Sequence, residues 1–411
     1  MSLAGFGNAA LALGSRNYRR YVLGNGVSLC GSWMQRVATG WLAWQLTHSG
    51  TWLGVIAAGD LAATLLLAPF AGAIGDRTER LMLARGVQLV AALRGFLLAA
   101  LVAFDLVGIY LLLAFTVFQG LINAFDGPTR MALVPSLVER PSLASALAIN
   151  AIVFNLARFI GPVAAGIAIE RSGVALVFAL NAATYLWFCA ALATIRLAAV
   201  ERGSAERGIL RSVLDGIAYV VRHPGLGPVL GLLLVSTVGL RGVMEMLPGF
   251  ADAIFGRGAT GLAWLIAAVG LGAMAGALWM VRRGAGPRLP ALVIATLLVS
   301  AVAIAGFAAT SSFWVGLACL ALAGFAMVVT GIGGQTIVQT HVEPAMRGRV
   351  MSLYGTIFRG GPALGALLLG LASGPLGLQM PVIAAAAVAA LYGLVAYFKR
   401  EALLRALDAG G

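Results

Sequence analysis

The chain has 411 residues, 61% of them hydrophobic and only 10% charged, with 28 Lys and Arg against 15 Asp and Glu for a formal net charge of +13. That composition excludes a water-soluble enzyme or nucleic-acid-binding domain, because too few polar side chains exist to cover a soluble surface. A membrane crossing takes roughly 20 apolar residues, and the spans needed to place these runs leave no room for a sizeable soluble domain.

Apolar runs bounded by charge, Pro and Gly predict six spans in the first half, at 21–46, 51–74, 82–104, 107–126, 144–169 and 174–197. Six more follow at 226–250, 260–281, 289–309, 312–334, 350–373 and 377–398. The expected fold is therefore an all-α membrane protein of twelve transmembrane helices in two six-helix bundles. The N-terminal bundle is 1–197, and 226–411 forms the C-terminal bundle with its tail. Between them, 198–225 reads as a polar cytoplasmic linker. Its part from Leu210 to Val221 is amphipathic, and is either a surface helix ending before His223-Pro224 or a plain tether.

Arg16, Arg19 and Arg20 abut a first span too long for a signal peptide's apolar region, so that helix is expected to be retained. With the N-terminus inside, the loop arginines and Lys399 gather on the cytoplasmic side and only Arg171 and Arg257 fall outside. The positive-inside rule then places both termini in the cytoplasm. The basic residues are scattered over short loops without an aromatic-interleaved patch, so the bilayer is the expected partner and nucleic acid is not. Cys30, Cys189 and Cys319 stand singly in three spans, without the spacing of a metal site or disulfide framework.

Sliding the sequence by 200 residues overlays Gly161-Pro162 in span five on Gly361-Pro362 in span eleven. Between spans two and three, Gly72-Ala-Ile-Gly-Asp76-Arg77-Thr-Glu-Arg80 resembles the major facilitator superfamily signature G-x-x-x-D-R-x-G-R-[KR]. Glu79 and Leu81 depart from it. The stretch around Gly161-Pro162 resembles the Gly-Pro motif of the antiporter branches. Phe115-Thr116-Val-Phe-Gln119-Gly120 resembles the proton-antiporter R-x-x-Q-G motif with Thr116 in the Arg position. Further phrases, among them Gly31-Ser-Trp-Met-Gln-Arg36 and Arg347-Gly-Arg-Val-Met-Ser352, resemble the bacterial branch containing the enterobactin exporter and macrolide-efflux proteins.

The resemblance implies a secondary transporter in the bacterial inner membrane, working by alternating access with substrate between the halves. It implies an ion gradient, with protons as the expected ion, in place of a cofactor. A monomer exporting a drug-, siderophore- or lipid-like molecule is the expectation, with import of an organic anion, or a non-transporting membrane scaffold or sensor, as the alternatives. It also implies that Asp76, Arg77, Arg80, Asp126, Arg130, Arg347 and Arg349 belong to a cytoplasmic gate, in which Asp126 and Arg130 pair with groups around Arg282 and Arg283.

Ionisable residues at membrane depth cost about 2.5–3.5 kcal/mol near the centre, so each faces a cavity or a partner. Seven are expected at such depth: Arg36, Asp60, Arg94, Arg158, Arg241, Glu245 and Arg359. Asp60 or Glu245 is a candidate protonation site. Alternatively, Arg241–Glu245 and Arg36–Asp60 are fixed salt bridges. The remaining arginines cannot shed their charge. They either create a positive cavity for an anionic substrate or bond to helix carbonyls. Gly161, Pro162, Gly361 and Pro362 are the hinge candidates, against a plain packing role for the glycines.

Overall fold

The computed structural model describes residues 12–196, 218–223, 225–284, 286, 288–344 and 346–408, and among them every regular element is helical. In chain order these are α1 (Arg16–Thr47), α2 (Gly50–Arg77), α3 (Arg80–Ala103), α4 (Ile109–Leu133), α5 (Leu143–Ala193) and α6 (Leu226–Ile254). They continue as α7 (Gly258–Arg283), α8 (Leu289–Ala309), α9 (Phe313–His341), α10 (Arg347–Leu376), α11 (Gln379–Phe398) and the short α12 (Arg400–Asp408). Ten of them, α2 to α11, are long and apolar enough to cross a membrane. Helices are what such runs must form, since hydrocarbon offers no partner for an unpaired N–H or C=O. α1 is as long as any span but carries Arg36, Asn25, Gln35 and a basic first turn, which lower its hydropathy.

Two elements depart from the sequence expectation. The spans expected at 144–169 and 174–197 are joined without a loop. α5 runs through both, broken only at Gly173, whose φ of 79° and ψ of 175° suit a residue without a Cβ. The seventh span is not a regular helix. Leu226–Val235 is α-helical, Ser236–Leu240 is a π turn, Arg241–Met246 is 3-10, and Phe250–Ile254 is again π. Pro248 removes a backbone donor within this run, and Gly239, Gly242 and Gly249 lower the helical preference around it. Arg241 and Glu245 lie on the 3-10 segment, so the α-helical i,i+4 spacing does not set their relation. α6 begins under His223, whose Nδ1 accepts the N–H groups of Gly225 and Leu226, both at 3.2 Å. Residues 198–217 and 224 of the expected linker, with most of its amphipathic part from Leu210 to Val221, lie outside the described residues.

The chain divides into two compact units, Met1–Leu46 with Gly59–Glu206, and Thr47–Ala58 with Arg207–Gly411. The first half's residues 47–58 therefore pack with the second unit. There Thr51 Oγ1 donates to the Gly370 carbonyl at 2.9 Å, and Gly50 and Gly54 let α10 approach at Ser373 and Ala366. In the first unit, Tyr18, Tyr21, Leu81, Leu133, Phe188 and Leu192 form a buried cluster, and the Tyr18 hydroxyl donates to the Ala146 carbonyl at 2.8 Å. In the second, α7 and α9 meet through reciprocal glycines. A Cβ on Gly272 would collide with the Ala321 carbonyl oxygen, and one on Gly324 with that of Val269. Packing of this closeness holds helices together in lipid, where burial of apolar surface supplies little drive.

The 200-residue repeat has a structural counterpart within each unit. Gly161 of α5 faces α1 at Trp33 Cβ and the Cys30 carbonyl, while Gly361 of α10 faces α6 at Thr237. Both helices continue through Pro162 and Pro362.

Candidate functional site

The first unit contains a chain of hydrogen bonds that begins at a buried guanidinium and ends at a carboxylate. Arg94 of α3 donates from Nη1 to Gln35 Oε1 on α1 at 3.2 Å, and Gln35 Nε2 donates to Gln119 Oε1 on α4 at 3.2 Å. Gln119 Nε2 donates to Asn123 Oδ1 one turn along the same helix at 2.9 Å, and Asn123 Nδ2 donates to Asp60 Oδ1 on α2 at 3.1 Å. Asn181 of α5 adds a 2.6 Å bond to Gln35 Oε1.

Close backbone approach makes this possible. A Cβ on Gly120 would collide with the Asp60 carbonyl oxygen, and one on Gly95 would sit 2.9 Å from Ala182 Cβ, so α2 lies tight on α4 and α3 tight on α5. Arg94, Gln35, Gln119 and Asn181 are all buried. Each amide is oriented by its neighbours, because a buried unpaired polar atom costs roughly 1–3 kcal/mol. A change of charge at Asp60 alters the acceptor at the end of this chain. The rest can then respond only by rotating linked amides.

The same geometry accounts for the departure at Thr116. That hydroxyl bonds back to the Leu112 carbonyl at 2.8 Å, while the cation comes from the neighbouring helix. Arg94 Nε donates to the Phe115 carbonyl at 3.0 Å, beside Thr116, and Arg94 joins Gln119 through Gln35. Arg94 is thus tied to α4 and α1 through Nε and Nη1.

Three other arginines lie against aromatic faces. Arg36 and Arg158 are 5.7 and 5.6 Å from the Trp33 ring, which packs edge-on at 6.0 Å against Phe154. Both guanidinium-bearing residues are exposed. In the second unit Arg241 stands 4.3 Å from the Phe358 ring, which stacks on Tyr354 at 5.7 Å, and Gly331 leaves room beside both. Cation–π contacts of this kind hold a guanidinium in place against a ring face. Arg359 follows Phe358 on α10 and is exposed.

The expected gate residues separate into two groups. Arg130 stands with Asp126 in the first unit. It bonds within the first unit, from Nε to Asp126 Oδ2 at 2.7 Å, to Asn25 Oδ1 at 2.6 Å, to Ser28 Oγ at 3.1 Å and to Gln88 Oε1 at 3.4 Å. Gln88 closes the ring by donating to Asp126 Oδ1 at 2.6 Å, and Phe188 lies 4.7 Å from the guanidinium. The reason is local. Asp126 and Arg130 are one turn apart on α4 and face α1 and α3, so the pair is satisfied by its own bundle. Arg80 likewise bonds to the Ala132 carbonyl at 3.2 Å and Ser136 Oγ at 3.3 Å, near the last turn of α4. Arg347 opens α10, and Arg349 Nη1 lies 3.7 Å from Met346 Sδ. The side chains of Asp76 and Arg77 lie outside the described residues.

Reading only ionisable residues missed the amides Gln35, Gln119, Asn123 and Asn181 and the aromatic residues Trp33, Phe154, Tyr354 and Phe358. Amides inside apolar spans were the available signal, since each needs a partner away from water.

Comparison with known proteins matches this architecture. The sequence profile of a family described as transmembrane secretion effectors matches residues 11–409. The chain is 31% identical over 360 residues to the enterobactin exporter of Shigella boydii serotype 4, covering 85% of this chain and 82% of that protein. It is 30% identical over 356 residues to the enterobactin exporter of Escherichia coli O139:H28, with the same coverage. The fold resembles an inward-facing, unoccupied bacterial homolog of the human lysosomal transporter Spinster. The TM-score is 0.75 at 15% identity, over 96% of this chain and 98% of that one. It also resembles a POT family transporter in complex with 5-aminolevulinic acid, with a TM-score of 0.70 at 13% identity over 95% and 97% of the two chains. With its apolar helices and a profile match over nearly its whole length, the chain belongs to the transmembrane secretion effectors, a family of multi-pass major facilitator transporters.

Proposed function

We propose that this protein exports an amphiphilic organic anion across the bacterial inner membrane by alternating access, driven by inward proton flow. Twelve crossings with both termini in the cytoplasm belong to this reading, in which α1 counts as a span, α5 is divided at Gly173 and the positive-inside rule sets the orientation. The protein works as a monomer, with a proton gradient in place of any cofactor. Efflux is supported by the enterobactin exporters among its relatives.

The observation that carries the coupling is the hydrogen-bonded chain from Arg94 to Asp60. It gives Asp60 a defined acceptor role on four helices of one unit, so that protonation there changes bonds throughout the bundle. Anion preference is supported by the positive charge of Arg36, Arg158 and Arg241, each held against an aromatic ring. The hinge role of Gly161-Pro162 and Gly361-Pro362 belongs to the same cycle, as does a gating role for Asp76, Arg77, Arg347 and Arg349.

The test is flux in proteoliposomes of a labelled aromatic carboxylate with an imposed pH gradient. An acidic exterior should accelerate efflux in the wild type and lose that effect in Asp60→Asn, while exchange without a gradient persists. Efflux indifferent to collapse of the gradient would refute proton coupling, and gradient-driven accumulation inside would make the protein an importer.

A further inference from the structure

On the outer face of the first unit, α3 and α4 enclose a cleft of about 440 Å³, a volume typical of small-molecule sites. Each helix contributes a stripe with the spacing i, i+3, i+4, i+7: Val90, Leu93, Arg94 and Leu97 on α3, and Leu111 to Phe118 on α4. The cleft is about 10 Å long by helical rise. Its walls are apolar and open, with Leu93 71%, Leu97 55% and Phe118 42% exposed. At its floor is Arg94, 4% exposed.

The guanidinium is incompletely used. Among the described residues Nε bonds to the Phe115 carbonyl and Nη1 to Gln35, while Nη2 donates to nothing and no carboxylate makes an ion pair with it. The Phe115 ring lies 5.9 Å away. A cation buried at membrane depth with only neutral acceptors is expensive to maintain. Here it lines an apolar cleft that opens sideways along the helices.

We infer that the α3–α4 cleft is a binding site for a hydrophobic carboxylate drawn from the bilayer, a fatty-acid-like molecule whose tail lies along the two stripes and whose carboxylate accepts from Arg94 Nη2. Depth argues against a phospholipid head. Arg94 stands 14 residues after the first residue of α3 and 9 before its last, so about 21 Å and 13–14 Å from its ends by helical rise, near mid-span. A phosphodiester cannot shed its charge, whereas a carboxylic acid can enter hydrocarbon protonated and ionise once beside Arg94. Asp60 already acts on Arg94 through space, and the bound carboxylate adds a directly paired negative charge and a charge-assisted hydrogen bond.

The test uses the full-length protein in nanodiscs with a diazirine-bearing dodecanoic acid, the corresponding dodecanol as comparator, and mapping of the cross-links by mass spectrometry. The acid should label α3 and α4 cleft residues about tenfold or more over the alcohol, the discrimination expected of one charge-assisted bond. Arg94→Gln should bring acid and alcohol to equal labelling. Leu97→Trp, at an exposed position that does not disturb the buried chain, should fill the cleft and abolish both. Equal labelling by acid and alcohol in the wild type would overturn the proposal, as would labelling unchanged by Leu97→Trp. Carrying the acid through the transport assay separates the two sources of such a ligand. Cargo is expelled with the gradient, while a membrane-derived ligand labels the cleft without being moved.

Discussion

Asp126→Asn separates a structural from a gating role for the Asp126–Arg130 pair, and the expected size follows from its surroundings. Arg130 is buried and its partner carboxylate is a fifth exposed, at side-chain exposures of 10% and 20%. Removing one member of a fully buried pair costs roughly 3–5 kcal/mol, because the remaining charge is left uncompensated. Here Asn25, Ser28 and Gln88 still accept from Arg130, and the Phe188 ring still faces it. Partial exposure of Asp126 and these remaining bonds reduce the expectation to about 2–3 kcal/mol. A unit of this size loses roughly 2–4 °C of melting temperature per kcal/mol, so the variant should melt about 4–12 °C lower. The assay is fluorescence-monitored unfolding in detergent, alongside initial rates in proteoliposomes. A surface latch would be worth about 1 kcal/mol or less, and its loss would change turnover with little effect on melting. A variant melting within a degree of wild type but cycling abnormally would refute the structural reading.

Two further outcomes test the packing and the polar chain. Gly365→Ala places a methyl group into the Val238 carbonyl oxygen and should destabilise by about 1–3 kcal/mol. Gly355→Ala, on the same helix with nothing within 4 Å of the new Cβ, should stabilise by about 0.5–1 kcal/mol, both read as shifts in melting temperature. Gln35→Leu removes the acceptor for Arg94 Nη1 and Asn181 Nδ2 and should cost about 2–5 kcal/mol. Gln35→Glu, which keeps that acceptor and adds a charge facing Arg94, should retain most of the stability, and equal losses in the two would contradict the hydrogen-bonded chain.

Much of the helix layout was legible because lipid leaves an apolar run only one way to satisfy its backbone. The expected span at 289–309 coincides with α8, and 51–74 and 82–104 differ from α2 and α3 by a few residues at their ends. The seventh span was legible as apolar but not as irregular, since hydropathy is insensitive to whether a carbonyl bonds three, four or five residues ahead. The Gly-Pro repeat was visible as a pattern. That Gly161 faces Trp33 and Gly361 faces Thr237 required the helices to be placed.

The sequence by itself determined that this chain lives in a membrane, where most of its helices begin and end, and which ionisable residues lie deep, because those properties follow from local composition and the cost of burying charge. Only the tertiary structure decided what the deep residues do. Arg94 and Arg158 look alike along the chain, yet one closes a chain of amides ending at Asp60 and one lies exposed against an indole, while the gate candidate Arg130 is saturated by its own bundle. Their partners come from helices as far off in sequence as Trp33 is from Arg158 and Asn25 from Arg130, so the direction in which each guanidinium points is set by helix packing rather than by its neighbours.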